Sequence, residues 1–211
     1  MANLNTIHPQ SISNSNSNSL LPTVKLCSLD EAISYQNEEV IYRFINTYDI
    51  SFGEANDIFV ETKKWLWLCA QPDIEELSMT EAFFAIDEMW HTFIVFTPEY
   101  TDYCLKYFDQ YIHHLPTTQR EKDEIRRLQE EDPVLAMEKH NQEMLQQYAV
   151  IYDKLGAETL LKWFVEYPTR YSEELLNQRR KAKSFNSKPT PELEALAAYL
   201  QAGKKVVLKK N

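Results

Sequence analysis

The sequence predicts an all-α protein, a compact orthogonal domain of about seven to nine helices. Three observations predict it. The chain has 211 residues and only three glycines, Gly53, Gly156 and Gly203. Such scarcity argues against a turn-rich sheet, whose tight turns need residues that accept positive φ. Helix-start signatures recur along the chain. Two-residue apolar alternation is convincing only over the short stretch Lys205–Leu208.

The elements follow in order. Residues 1–22 contain a Ser/Asn tract with too little apolar surface to offset the entropy of ordering, and read as a disordered tail. Ser28 with Glu31 and Ser51 with Glu54 form capping boxes that open helices near 29–47 and 52–70. Within the second, Trp65-Leu66-Trp67-Leu68 is apolar on successive residues, the mark of a helix buried on both sides. Ser78 with Glu81 reads as a third box and opens a helix near 79–96. Thr97-Pro98 starts the next, near 98–110, by placing a capping side chain before a proline at the first helical position. Thr118 with Glu121 opens 119–131, and Asp132-Pro133 opens 133–154. Gly156 sits where that helix should stop, before another near 157–166. A short helix is expected near 172–182, and Thr190-Pro191 opens one near 191–202, closed by Gly203. The domain organisation is a tail over 1–22, a helical core over 23–166 and a basic extension over 167–211.

Charge and composition narrow the function classes. Three isolated glycines exclude phosphate-cradling Gly-rich loops. The formal charge is −10, and the isoelectric point near 5 argues against nucleic acid as a partner. The charge is uneven: residues 1–110 hold 5 Lys/Arg against 17 Asp/Glu, whereas 167–211 hold 10 against 4. The basic end therefore reads either as packing against the acidic half or as a docking surface for a protein partner. Cys27, Cys69 and Cys104 are scattered and lack a CxxC pair, which fits reduced thiols in the cytoplasm. Cys104 shares a stripe with Tyr100 and reads as a core thiol. No apolar run approaches the roughly 20 residues that span a bilayer, so no membrane partner is expected. Serine-hydrolase elbows, HExxH and kinase signatures are absent, and Glu-x-x-His spacing occurs once, at Glu88 and His91, where a di-iron bundle uses two such pairs.

One segment carries chemistry, Phe83 to Phe96. Placed on a helical wheel with Phe83 at zero, Asp87 falls at about 40° and His91 at about 80°, inside the arc of Phe84, Ile94 and Val95. Ala85, Glu88 and Thr92 make the solvent side. An acid on a core stripe must be paired or coordinated, and Asp87 and His91 are i, i+4 neighbours. A second pair, His113-His114, follows before Pro116. If the chain bends back after the 98–110 helix, one Asp and two or three His converge in a set like the two-His-one-carboxylate sites that hold Fe(II) and similar ions. Asp87, His91, His113 and His114 are thus candidate ligands for Fe, Mn or Zn, with Trp90 lining the site. Two other readings stand beside this one: a buried Asp–His clasp with no ligand, and a metal-free acid–base or ligand pocket.

The run Asp87-Glu-Met-Trp90-His91-Thr92, then Phe96-Thr97-Pro-Glu-Tyr100 and Ile112-His113-His114-Leu-Pro116, resembles the glycine-rich domain-containing protein-like family. Bacterial members are similar from roughly residue 35 to 116, and plant members mainly through the Asp-x-x-Trp-His-Thr core. The resemblance implies a site at Asp87, Trp90, His91 and Thr92 and names no reaction. The chain departs from the family in lacking a glycine-rich region and in having Phe93 where plant relatives carry a second His. The reading is a protein of unestablished activity with a polar Asp/His pocket in a helical core. The alternative is an acidic helical protein–protein interaction module in which the pair is structural.

Overall fold

The computed structural model describes residues 26–74, 77–182 and 191–201. Among them every regular element is a helix and there is no strand, as the glycine count and helix signatures predict. The tail over 1–22, the alternation at Lys205–Leu208, the Thr190 cap and Gly203 lie outside the described residues.

Helices α1 (Leu29–Ile33) and α2 (Glu38–Thr47) replace the single helix expected over 29–47. The break has a local cause: Asn37 accepts the backbone N–H groups of Glu39 and Val40 and restarts the helix. Helix α3 (Phe52–Cys69) begins at the Ser51/Glu54 box and is the central element, touching α1, α2, the helix that follows it and the long helix over 133–161. Trp65, Leu66 and Leu68 are buried, as their succession implies.

The third box does not form. Ser78 instead donates its backbone N–H to Gln147 and accepts the Gln147 amide in return, and the chain enters a 3₁₀ turn at Glu81–Phe83 without a side-chain cap. Helix α4 (Phe84–Val95) starts only there. Helix α5 (Thr97–Phe108) follows with no hydroxyl cap from Thr97, and Asp109, at φ 55°, turns the chain out of it. Helices α6 (Gln119–Glu131) and α7 (Pro133–Leu161) form a hairpin. Its start is capped by Thr118 and Glu121, and its bend by Asp132. Helix α7 is interrupted at Gly156, whose φ of 85° marks the end that the sequence predicts. A π-helical turn (Lys162–Glu166), α8 (Tyr167–Tyr171) and α9 (Glu173–Gln178) complete the packed body, and α10 (Pro191–Gln201) stands later in the chain.

The core continues past Glu166, where the sequence places a domain edge. Trp163, Tyr167, Tyr171 and Leu176 are all buried. The π turn sets Trp163 against Trp65 and Phe83, with ring centroids 6.0 and 5.5 Å apart. Its indole donates to Glu61 at 2.8 Å, a buried carboxylate also held by Lys64 and Lys162. The basic segment packs on the acidic half. Arg170 pairs with Glu54 at 3.3 Å, Arg180 with Glu88 at 3.3 Å and Lys181 with Asp49 at 3.7 Å. Beyond α9 the backbone pairs with the end of α2, through Asp49 N–H to Arg179 and Lys181 N–H to Thr47. No helix among the described residues is long and apolar enough to cross a membrane.

Candidate metal centre

Helix α4 presents the site, and it does so from its open side. Its buried positions are Ala85, Ile86, Met89, Trp90 and Phe93. Asp87, His91 and Val95 run along the opposite stripe, with side chains 24%, 52% and (for the whole residue) 65% exposed. The wheel reading that sets Asp87 and His91 inside the core arc is corrected here. Phe83 belongs to the preceding 3₁₀ turn, so it does not mark the buried face of the helix, and Ala85 packs inward as a small residue at a close contact. Asp87 and His91 therefore stand at a rim where an ion or small molecule can arrive.

The loop after α5 brings the third group. Asp109 adopts the left-handed conformation, which ends α5 and sends the chain back across α4. His114 then places Nε2 at 2.7 Å from Asp87 Oδ1, while His91 Nδ1 is 3.5 Å from Asp87 Oδ2. The two imidazoles face each other, with ring centroids 4.4 Å apart and 31° between planes. Asp87, His91 and His114 thus form a group able to hold a metal ion, with one ligand atom from each and all three atoms within 4.8 Å of one another. Ligands at about 2.1 Å from one ion and at tetrahedral angles stand about 3.4 Å apart, so the widest pair of the group closes by up to about 1.4 Å on binding.

His113 is not brought in. It is exposed, its ring lies 4.9 Å from that of Tyr111, and it lines a neighbouring cavity instead. Of the two adjacent histidines, His114 joins the group with Asp87 and His91. Trp90 takes a supporting place. Its ring lies 4.2 Å from that of His114, and its indole N–H donates to Tyr100 Oη at 2.9 Å. Tyr100 Oη donates in turn to the Ile112 carbonyl at 2.6 Å. This chain fixes the loop two residues before His114. Tyr100 is a site residue that sequence reasoning assigned only to the core. The ten-residue spacing from Trp90 to Tyr100 across a helical turn is the signal that could have found it. Burial pushes the Tyr100 phenol well above its ordinary range, so it stays protonated and keeps both bonds.

Beside the centre lies a cavity of about 660 Å³. His114 forms part of its wall, with Trp65, Cys69, Trp90, Ile112 and Glu121. Burial raises the Cys69 thiol to about 12, so this sulfur is no nucleophile. Trp65 is 2% exposed, and among the described residues its Nε1–H meets no acceptor. An unmet buried donor costs about 1–3 kcal/mol.

Residues 34–131 match the family described as UCP032817-like. The matched stretch holds Asp87, Trp90, His91, His113 and His114, and it stops at the end of α6. A search of curated proteins and a search of solved structures find no match. The chain is similar to that family over this stretch, and the description carries no activity.

Proposed function

We propose that the protein binds a divalent metal ion, Fe, Mn or Zn, through Asp87, His91 and His114. One observation supports this above the others: a carboxylate and two imidazoles from two separate segments meet at an open rim, each with a ligand atom within 4.8 Å of the others. Two His and one carboxylate are the donors that such ions favour. A bound ion would act as a Lewis acid on whatever small molecule filled its remaining positions. Asp87 holds both imidazoles, and Trp90 with Tyr100 keeps His114 in place. Membership of the glycine-rich domain-containing protein-like family, argued from the Asp87-x-x-Trp90-His91-Thr92 motif, belongs to the same proposal. So does a cytoplasmic location, which the free Cys27, Cys69 and Cys104 support.

Elemental analysis of protein purified without a histidine tag tests the reading. About one equivalent of metal, lost in His91→Ala, is the expected result. Protein that is metal-free and remains so after addition of Fe, Mn or Zn overturns it.

A second reading has its own support. The 2.7 Å His114–Asp87 contact and the Trp90–Tyr100–Ile112 chain also pin the 109–118 loop to α4 with no ion needed. On that reading the domain is an interaction module, and Ile125, Val134, Met137 and Leu145, exposed on the α6–α7 hairpin, would face the partner. Asp87→Asn would then lower stability, and His91→Ala would change nothing.

A further inference from the structure

We propose that the protein pairs with a second copy of itself by exchanging α10: the apolar side of α10 from each copy lies antiparallel on an exposed stripe of α7 in the other. The pairing goes beyond both readings of the metal centre and depends on neither.

The seat belongs to the α6–α7 hairpin. Helix α6 buries no residue and α7 buries none before Gln147, so over 119–146 the two helices pack on each other outside the core. Val134, Met137, Leu145 and Tyr152 of α7 are all exposed. At about 100° per residue they fall within about 80° of one another, a stripe about 27 Å long turned away from the buried Gln147 and Ile151. Such a run of apolar surface is the mark of a protein–protein contact.

The occupant is argued from α10. Its residues 194–200 are all exposed, with Leu196 and Leu200 one turn apart on the same side and Ala197 beside them. A helix of 11 residues is marginal in water by itself, so α10 needs a surface to lie on. A single chain leaves both the α7 stripe and the apolar side of α10 exposed. Lys181 N–H is bonded to Thr47, and residues 182–190 then allow α10 a reach of about 30 Å from the body. Charge sets the direction. Glu130, Glu131 and Asp132 are exposed at the bend before α7, and the sequence after α10 carries Lys204, Lys205, Lys209 and Lys210. Antiparallel seating brings the C-terminal end of α10, and that positive charge, to the acidic bend, and it also opposes the two helix dipoles. Each copy gives one α10 and receives one, so the assembly closes at two.

Sedimentation velocity of the full chain tests this. A monomer–dimer equilibrium with a dissociation constant of about 10–100 µM is expected, weakened about fivefold when salt rises from about 50 to about 500 mM. Two variants change exposed residues only and should leave the thermal melt of the body unmoved. Leu196→Glu with Leu200→Glu spoils the donated helix, and Met137→Glu with Leu145→Glu spoils the seat. Each should raise the dissociation constant more than about tenfold. Mixed together, the two should associate more tightly than either alone, since α10 of the second variant meets an intact α7 on the first. A mixture that binds no better than its components overturns the proposal. So does a dimer that survives Leu196→Glu with Leu200→Glu, the result of two α7 stripes facing each other. A chain that stays monomeric at about 500 µM overturns it as well, whether α10 then lies on its own α7 or on nothing. A dimer indifferent to salt, or growth beyond two copies, does the same.

Discussion

Trp90 donates its indole N–H to the Tyr100 phenol at 2.9 Å, and through that bond α4 and α5 together govern where His114 stands. Tyr100→Phe removes the acceptor of Trp90 and the donor to Ile112 in one step. The loss should be about 1–3 kcal/mol in urea unfolding, since buried polar groups are left unmet. If the metal reading holds, affinity should also fall by about tenfold, as it does when groups that orient ligands are removed.

His91→Ala separates the two readings of the centre. His91 is half exposed, and among the described residues its one ion-pair contact, with Asp87, spans 3.5 Å. Stability should therefore change by less than about 0.5 kcal/mol. Metal affinity should drop by more than about tenfold. His113→Ala serves as the control and should leave both quantities unchanged, because His113 is exposed and stands outside the ligand group. Calorimetric metal titration beside thermal melting checks all three outcomes.

Gly156→Ala tests the interruption of α7. A methyl group there meets nothing within 4 Å, so space is no obstacle. The φ of 85° is the obstacle, and holding an L-residue in this region should cost about 1–2 kcal/mol. A comparable fall in the urea midpoint is expected, with the spectroscopic helix content retained.

Alkaline pH should unfold the protein. Burial raises the phenols of Tyr100, Tyr103 and Tyr167 well above their ordinary range, and raises the Cys69 thiol to about 12. The unfolded chain releases these protons at about 8.5 for Cys and about 10 for Tyr. The folded state retains more protons above those values, so stability falls as pH rises. Lys63 acts in the opposite sense. Burial lowers it to about 8, so between there and its unfolded value of about 10.4 the folded state binds fewer protons and gains stability. Three phenols and a thiol outweigh one amine. Urea midpoints should hold to about pH 9 and decline steeply above about pH 10, with the share of tyrosinate absorbance that belongs to the buried phenols appearing together with unfolding.

The sequence made most of the fold legible through local chemistry. Ser28, Ser51, Thr118 and Asp132 cap the helices that they seem to cap, because a cap is a contact within three residues. Ser78 fails for the opposite reason: Gln147, 69 residues away, takes its backbone groups, and no local pattern reveals that competitor. Asn37 followed by two glutamates was a readable cap, hidden by apolar periodicity that continues across it. The Asp87–His91 pairing was legible from spacing alone. Which of His113 and His114 joins it was not, since the choice depends on a left-handed turn at Asp109 and on the anchor that Tyr100 provides. The inward placement of Trp163 depends on a π turn, whose extra residue per turn leaves no periodic trace.

The clasp between Tyr48, Glu88 and Arg180 bears on how much chain the centre requires. Tyr48 Oη bonds to Glu88, the residue next to Asp87, and Arg180 lies over the Tyr48 ring at 5.0 Å while reaching the same carboxylate. Helix α4 is therefore tied on one flank to the returning loop and on the other to a segment 92 residues downstream. A protein trimmed to 34–131 would carry every ligand yet lose Arg180, Trp163 and the tyrosines of α8. The recognisable stretch and the smallest self-supporting unit are different lengths of the same chain. These contacts predict that the second extends at least through Lys181.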